Sequence, residues 1–228
     1  MRWEVEADPA LSGIAFGDFA PLIYDGGPAL GLIPLDGAQR EPAQLLDRQG
    51  YCNLHFDGAS VEGPLFLARE GRASELRERL DALSTAFGLI ELAGMMLRVM
   101  EMTGEYISNR VQFGQPIAKF QAARHHAADL LMAAETTRWT AYHALWRFQR
   151  DPADSEGIWL AKHWAIRAAK SAFEITHLLH GGIGVGLEYP LHLYTQGIAA
   201  FAVRDGSMNE MTGRLLESLD PRAARAEA

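Results

Sequence analysis

Several features that mark particular classes of protein are missing from this sequence of 228 residues. Its only cysteine is Cys52, so we expect neither a disulfide framework nor a zinc site built on several thiolates. Basic side chains are outnumbered, 21 against 29 acidic ones, which makes nucleic acid and anionic membrane surfaces poor partners for a chain of charge −8. No run reaches about 18 uninterrupted apolar residues, and residues 1–6 lack the apolar core of a signal peptide. We therefore expect a cytoplasmic protein that does not enter a membrane.

The first 68 residues have a sequence pattern typical of β-strands. Residues 19–24 and 29–35 are short apolar runs, and Asp25, Gly26 and Gly27 lie between them. Glycine supplies the positive φ that a tight hairpin requires, so this pattern predicts two paired strands. Residues 51–56 alternate in the manner of a third strand. We predict a partial β-domain over residues 1–68.

The period becomes helical in residues 69–228, the second predicted domain. A first helix is indicated from Glu75 onward, a second from Pro116, a third between Ser155 and Gly181, and shorter ones follow. The third helix has a stripe rich in alanine, which predicts a close neighbour. For the first helix, the spacing predicts one helix face that consists of Leu76, Leu80, Leu83, Phe87, Ile90, Gly94 and Leu97. Long helices joined by short loops predict an up-down bundle.

Three segments of the helical half carry a family resemblance when they are taken in order. The first is Arg-Val-Gln-Phe-Gly-Gln-Pro-Ile at 110–117, with Phe-Gln at 120–121. The second is His-Gly-Gly-Ile-Gly at 180–184, followed by Glu-Tyr-Pro at 188–190, and the third is Asp-Gly-Ser at 205–207. Their order and the lengths between them resemble the C-terminal half of the flavin-dependent acyl-CoA dehydrogenases.

The resemblance implies a mainly α fold, in which an acyl-CoA dehydrogenase-type C-terminal up-down four-helix bundle follows the end of that family's middle β-domain. It implies FAD as the cofactor, an acyl-CoA thioester as the substrate, and α,β-desaturation in lipid metabolism as the reaction. Because that family holds its flavin at a subunit interface, we expect a homo-oligomer or a hetero-oligomer with another acyl-CoA dehydrogenase chain. The family's N-terminal helical domain and the first part of its β-domain would precede Met1, so a short subunit, a fragment or a chain completed by a partner is expected.

Several residues acquire a cofactor-binding role from the resemblance. Arg110 would reach the flavin pyrophosphate across a dimer interface, and its alternative is a solvated charge at a helix end. Gly181 and Gly182 would let the backbone approach a dinucleotide, or would simply end a helix. Ser207 keeps the hydroxyl of the family's threonine. The remaining predicted cofactor contacts are Gln112, Phe113 and Gln121, with a core aromatic as the alternative for Phe113.

Asp205 stands where the family's Glu-Gly-Thr motif has the base that removes the α-proton of the thioester. This chemistry needs a carboxylate in a dry pocket, within hydrogen-bonding reach of the proton. Aspartate is one methylene shorter than glutamate, and its alternative role is to cap the last helix. The family's other location for the base falls here on Ser84, which cannot act as that base without an activating partner.

One departure from the family pattern favours a second hypothesis. Leu178 stands three positions before Gly181, where the family has a glutamine that bonds the nucleotide. A non-catalytic structural subunit, which completes the flavin site of a partner dehydrogenase, is therefore the alternative to a catalytic chain. We expect no metal site, because His125 and His126 point to different sides of a helix and His177 and His180 lack a third ligand.

Overall fold

The chain divides into two compact units, Met1–Leu80 and Asp81–Ala228, and the boundary falls within the first long helix. In this computed structural model the described part of the first unit contains two small sheets, and the described part of the second unit is helical apart from one short hairpin. The predicted mainly α fold with a preceding β portion is confirmed. The residues that the structure describes are 19–24, 29–34, 39–44, 50–55, 65–69, 71–152, 154–204 and 206–219.

In the described part of the first unit, five strands form two small antiparallel sheets. Strand β2 (Ala29–Pro34) pairs with β1 (Phe19–Tyr24) on one side and with β5 (Leu65–Arg69) on the other. Strands β3 (Gln39–Gln44) and β4 (Gly50–His55) form the second sheet. The predicted pairing of residues 19–24 with 29–34 is confirmed, while the turn between them lies outside the described residues.

The remaining elements are helices and one short hairpin. Two-residue strands, β6 (Val111–Gln112) and β7 (Gln115–Pro116), form that hairpin. The helices are α1 (Gly71–Asn109), α2 (Gln121–Arg150), α3 (Glu156–His180), α4 (Leu191–Phe201) and α5 (Met208–Leu219). Single turns of 3₁₀-helix lead into α2 and follow α3, at Ile117–Lys119 and Gly181–Val185.

The face of α3 toward the core is the one that the sequence predicts. All members of its alanine-rich stripe are buried, and α3 packs against α2, α4 and α5. A bidentate salt bridge holds the loop between α2 and α3: Arg147 donates to Asp154 at 2.8 and 3.0 Å. The stripe consists of Ala161, Ala165, Ala168, Ala172, Ile175 and Leu179.

The predicted stripe of α1 faces the core only in part. Ile90 and Leu97 are half-buried and pack against the core. Leu80, Leu83 and Phe87 are exposed, and the helix turns a neighbouring stripe toward the core of the second unit. That stripe includes Ala82, Ala86, Leu89, Ala93, Met96 and Val99. The helix is apolar on more than one side, so its hydrophobic pattern is compatible with two buried faces. Packing against neighbouring elements determines which of the two is buried. One such element is α4, where a Cβ at Gly197 would lie 2.6 Å from the Met95 sulfur.

The predicted start of α2 at Pro116 is also wrong, by five residues. Pro116 has φ −55° and ψ 142°, an extended conformation, and pairs with Val111 in the β6–β7 hairpin. The helix begins at Gln121 after an extended Phe120. Proline suits the first turn of a helix because its φ is fixed, but the same φ also serves an extended strand.

Helix α1 is long and apolar enough to cross a membrane by length and composition. The core helix of a soluble protein can have the same length and composition. Leu89, Leu92, Met96 and Val99 on this helix lie in the core of the second unit. The burial of these side chains inside the protein accounts for the apolar character of that face.

Candidate functional site

The first motif segment forms a tight hairpin that presents its side chains to solvent. Phe113 and Gly114 are the two turn residues, with φ values of 53° and 80°. Positive φ at both positions is the type I′ geometry, which phenylalanine adopts at a cost of about 1 kcal/mol. The Phe113 side chain is 92% exposed and contacts Phe120 edge-on at 6.2 Å. Its alternative as a core aromatic is therefore wrong within this chain.

The polar residues of this segment are also on the surface. Arg110, Gln112 and Gln121 are exposed, and the amide nitrogen of Gln112 donates to the Val111 carbonyl at 2.8 Å. The backbone of Arg110 ends α1 and accepts a hydrogen bond from Ile117 N at 2.9 Å, so the hairpin fixes where the arginine emerges. An exposed guanidinium on a fixed backbone can bind a phosphate with two hydrogen bonds.

An aromatic cluster of Tyr106, His180 and Tyr189 joins the first motif segment to the second. Tyr106 lies one turn before Arg110, and its ring stacks on His180 with centroids 4.5 Å apart. Tyr189 packs against both rings, at 6.4 and 5.5 Å. Because His180 directly precedes Gly181, this cluster holds the start of the hairpin beside the glycine turn.

His180 is buried in this cluster as a neutral side chain. Its Nδ1 donates to the Thr176 carbonyl at 2.9 Å, which leaves Nε2 to accept from the Tyr189 hydroxyl at 3.5 Å. Burial lowers the pKa of His180 below its usual value, since the charged form would lose its hydration. Burial lowers the pKa of His177 in the same way. Within the described ranges, no group of three or more His, Cys, Asp or Glu side chains could hold a metal ion.

The three glycines at 181, 182 and 184 differ in their structural environment. Gly181 adopts φ 61° and caps α3, which explains a glycine there without any ligand. Gly184 packs tightly, because a Cβ would lie 3.0 Å from the His180 Cβ. Gly182 is exposed, has no positive φ, and a Cβ there would meet nothing within 4 Å among the described residues. Within the described part of the chain, the space beside Gly182 is therefore open.

Leu178 lies one turn before these glycines and is 63% exposed. An isobutyl side chain cannot make the hydrogen bonds of an amide, so the nucleotide contact of the family's glutamine cannot be reproduced at this position. An exposed leucine instead suits an apolar contact.

The third motif segment follows the last turn of α4. Asp205 lies outside the described residues, and the structure gives no geometry for its carboxylate. The preceding residue, Arg204, donates to Glu91 of α1 at 2.6 Å. The buried Lys162 of α3 donates to the carbonyls of Phe201 and Arg204. Sequence reasoning missed Lys162, although its spacing from Ile158, Ala165 and Ala169 places it within a buried stripe.

Ser207 caps the start of α5. Its backbone N–H donates to Glu210 at 2.5 Å, and its Oγ accepts from the Glu210 N–H at 3.4 Å, a reciprocal capping box. Accepting the Ser207 N–H lowers the pKa of the Glu210 carboxyl. The Ser207 hydroxyl keeps its own proton to donate. Among the described residues, no hydrogen bond joins Ser207 to the aromatic cluster.

A family model described as the acyl-CoA dehydrogenase C-terminal domain matches residues 85–219, more than half of the chain. Acyl-CoA dehydrogenase FadE28 of Mycobacterium tuberculosis is 32% identical over 101 residues, which cover 44% of this chain and 30% of that protein. FadE27 of the same organism is 33% identical over 152 residues, covering 62% and 39%.

The structure of the ChsE4-ChsE5 complex from Mycobacterium tuberculosis is similar, with a TM-score of 0.76 and 27% identity over 88% of this chain and 54% of that chain. This chain spans less than half the length of the two curated relatives. The matched residues 85–219 contain all three motif segments, the aromatic cluster and the end of α4. The resemblance inferred from those segments is thereby confirmed, and the chain belongs to the acyl-CoA dehydrogenase family.

Proposed function

We propose that this chain forms the C-terminal part of an FAD-dependent acyl-CoA dehydrogenase that removes hydrogens from the α and β carbons of an acyl-CoA thioester. The observation that carries the proposal is the aromatic cluster, which holds the exposed Arg110 hairpin beside the open glycine turn. Two segments that are distant in sequence thus meet at one surface with a cation and an uncovered backbone. Such a surface suits a dinucleotide, because a cationic side chain can pair with its phosphates and a glycine backbone allows it to approach closely.

The residues present fit the family's flavin cofactor at this surface. Arg110 would pair with the pyrophosphate, and Gly182 leaves the space in which a Cβ would obstruct it. Gln112, Phe113, Gln121, Gly181 and Ser207 are the further candidates for contact. Bound FAD supplies the oxidant, which accepts the hydrogen of the β carbon as a hydride.

Asp205 supplies the base in this proposal. Its carboxylate takes the proton from the α carbon, and the electron pair of that C–H bond becomes the new double bond as the hydride leaves the β carbon. In the flavin-loaded enzyme, Asp205→Asn is expected to abolish turnover and to leave the flavin content intact, since the amide keeps the shape but cannot accept the proton. Arg110→Ala is expected to lower the flavin content. Turnover that survives Asp205→Asn would exclude the role of this carboxylate.

We further propose that the working enzyme contains a second acyl-CoA dehydrogenase chain. The related ChsE4-ChsE5 structure is a complex of two named components, and another similar structure is the Tcur3481-Tcur3483 steroid dehydrogenase, 25% identical with a TM-score of 0.74. A bulky acyl-CoA thioester is the substrate class that the steroid enzyme suggests. Purification alone and after co-expression with a full-length dehydrogenase chain tests this, with flavin absorbance as the measurement. Stoichiometric flavin in the chain alone would contradict the need for a partner.

The alternative is a structural subunit that completes a partner's flavin site without catalysis. The exposed Leu178 in place of an amide favours this alternative, because an apolar contact suits a protein neighbour better than a nucleotide. The same Asp205→Asn variant decides between the two functions in the co-expressed complex. Full turnover with intact flavin supports the structural subunit, and lost turnover supports the catalytic chain.

A further inference from the structure

Lys162 is a charged side chain that the family motifs do not include. It lies in the second turn of α3 with 0% of its surface exposed. Its Nζ donates to the Phe201 carbonyl at 2.8 Å and to the Arg204 carbonyl at 2.6 Å, and it stands 3.6 Å from the centre of the Phe201 ring. A buried ammonium is unfavourable unless such groups replace its water, so this arrangement indicates a specific requirement.

The Phe201 carbonyl belongs to the last residue of α4, where helices leave acceptors unsatisfied and carry partial negative charge, and the Arg204 carbonyl lies in the turn that follows. Lys162 therefore satisfies one carbonyl of the helix end and one of the following turn, and its charge opposes that of the helix end. The segment from Ala202 to Arg204 is also held by backbone bonds to Ala199 and Ala200, at 3.0 to 3.2 Å. Its amide protons are consequently protected while the turn is intact.

A second contact holds the same turn from another direction. The guanidinium of Arg204 pairs with Glu91 of α1 at 2.6 Å. Helix α3 thus fixes the carbonyl of Arg204, and α1 fixes its side chain. The next residue along the chain is Asp205.

We propose that Lys162 is a positioning residue for the base: it fixes the turn from which Asp205 extends. This inference rests on the proposed function, in which Asp205 removes the α-proton. Misplacement of a reacting group by about 1 Å can lower a rate about 100-fold. A short aspartate side chain has fewer rotatable bonds than glutamate with which to compensate for a displaced backbone, so its position depends closely on the turn.

The test uses the co-expressed, flavin-loaded complex. Lys162→Met keeps the length of the side chain but removes the hydrogen bonds to the Phe201 and Arg204 carbonyls, and we expect kcat per bound flavin to fall about 100-fold with little change in KM. Hydrogen–deuterium exchange at Ala202–Arg204 is expected to accelerate severalfold. Lys162→Arg, which retains charge and donors, should recover part of kcat. The matched control is Lys170→Met on the exposed side of α3, which should leave kcat and exchange unchanged.

Several outcomes would overturn the proposal. Wild-type kcat and wild-type exchange at Ala202–Arg204 in Lys162→Met exclude a positioning role. A uniform loss of thermal stability and flavin, with unchanged kcat per remaining flavin, assigns Lys162 to folding alone.

If Lys162→Met does not fold, a second variant tests the same turn. Glu91→Gln weakens the contact between Arg204 and α1 at the surface. A severalfold lower kcat in this variant supports positioning by the turn, and an unchanged kcat refutes it. Loss of turnover in Asp205→Asn beside normal turnover in Lys162→Met refutes only this inference, whereas retained turnover in Asp205→Asn refutes the proposed function.

Discussion

His180 connects stability to pH at the scale of a single residue. Burial lowers the pKa of its imidazole, and its Nδ1 is committed to the Thr176 carbonyl. The unfolded chain, with a pKa near 6.5, therefore binds the extra proton more tightly than the folded chain. The free energy of unfolding is expected to be greatest above about pH 6.5 and to fall as the pH drops from there toward the lower folded-state value.

His180→Gln should flatten this dependence by up to about 1.4 kcal/mol per pH unit, because one proton is no longer linked to unfolding. Urea unfolding at about pH 7.5 and about pH 5.5 measures the difference. His177 has a pKa lowered in the same direction, so part of the dependence will remain. The exposed His125 provides the control variant, His125→Gln. An unchanged pH dependence in His180→Gln would contradict the argument.

The glycine turn shows how far a motif predicts a site at this scale. The pattern of 181–184 correctly marks a helix end, but it cannot say which glycine is required by the chain's own packing. That distinction depends on neighbours such as His180, which are brought there by the fold. The burial of Lys162 could not be predicted from the sequence for the same reason. A lysine is normally solvated, and the carbonyls that accept its hydrogen bonds are 39 and 42 positions away.

At the scale of an element, α5 depends on its capping box. The Ser207 side chain satisfies the Glu210 N–H, and Met211 on the next position is buried in the core. Ser207→Ala is expected to lower the free energy of unfolding by about 1 kcal/mol, as measured by urea denaturation. Asn209→Ala, an exposed change in the same helix, is the control. Equal stability of the two variants would show that the cap contributes nothing.

The helices also show why some elements could be predicted better than others. The α3 stripe was predicted correctly because its small residues recur at helical spacing along one side of the helix, and all of them are buried. Helix α1 offers two apolar stripes, and the choice between them is made by contacts such as Met95 with Gly197. At Pro116 one fixed φ suits both a helix start and a strand, and the pairing with Val111 decides. In each case the missing information is tertiary.

At the scale of the whole molecule, helices α2 and α3 carry large aromatic side chains on their outer surface. Trp139, Trp146 and Trp164 are exposed, whereas Trp159 is buried. The first two are each partly covered by an arginine of the same helix, Arg138 at 4.9 Å and Arg150 at 5.1 Å. Tryptophan and arginine are the residues most enriched at the centres of protein interfaces, which agrees with the proposed oligomer.

We therefore predict that Trp139→Glu weakens assembly with the proposed dehydrogenase partner. Trp139 is 61% exposed in this chain, and a tryptophan at the centre of an interface typically contributes about 2 kcal/mol or more, so association should weaken about 30-fold or more. Sedimentation velocity over a dilution series measures the change. Gln149→Glu adds the same charge at an exposed position of α2 and should leave assembly unaltered. If Trp139→Glu assembles as well as this control, the aromatic surface of α2 lies outside the interface.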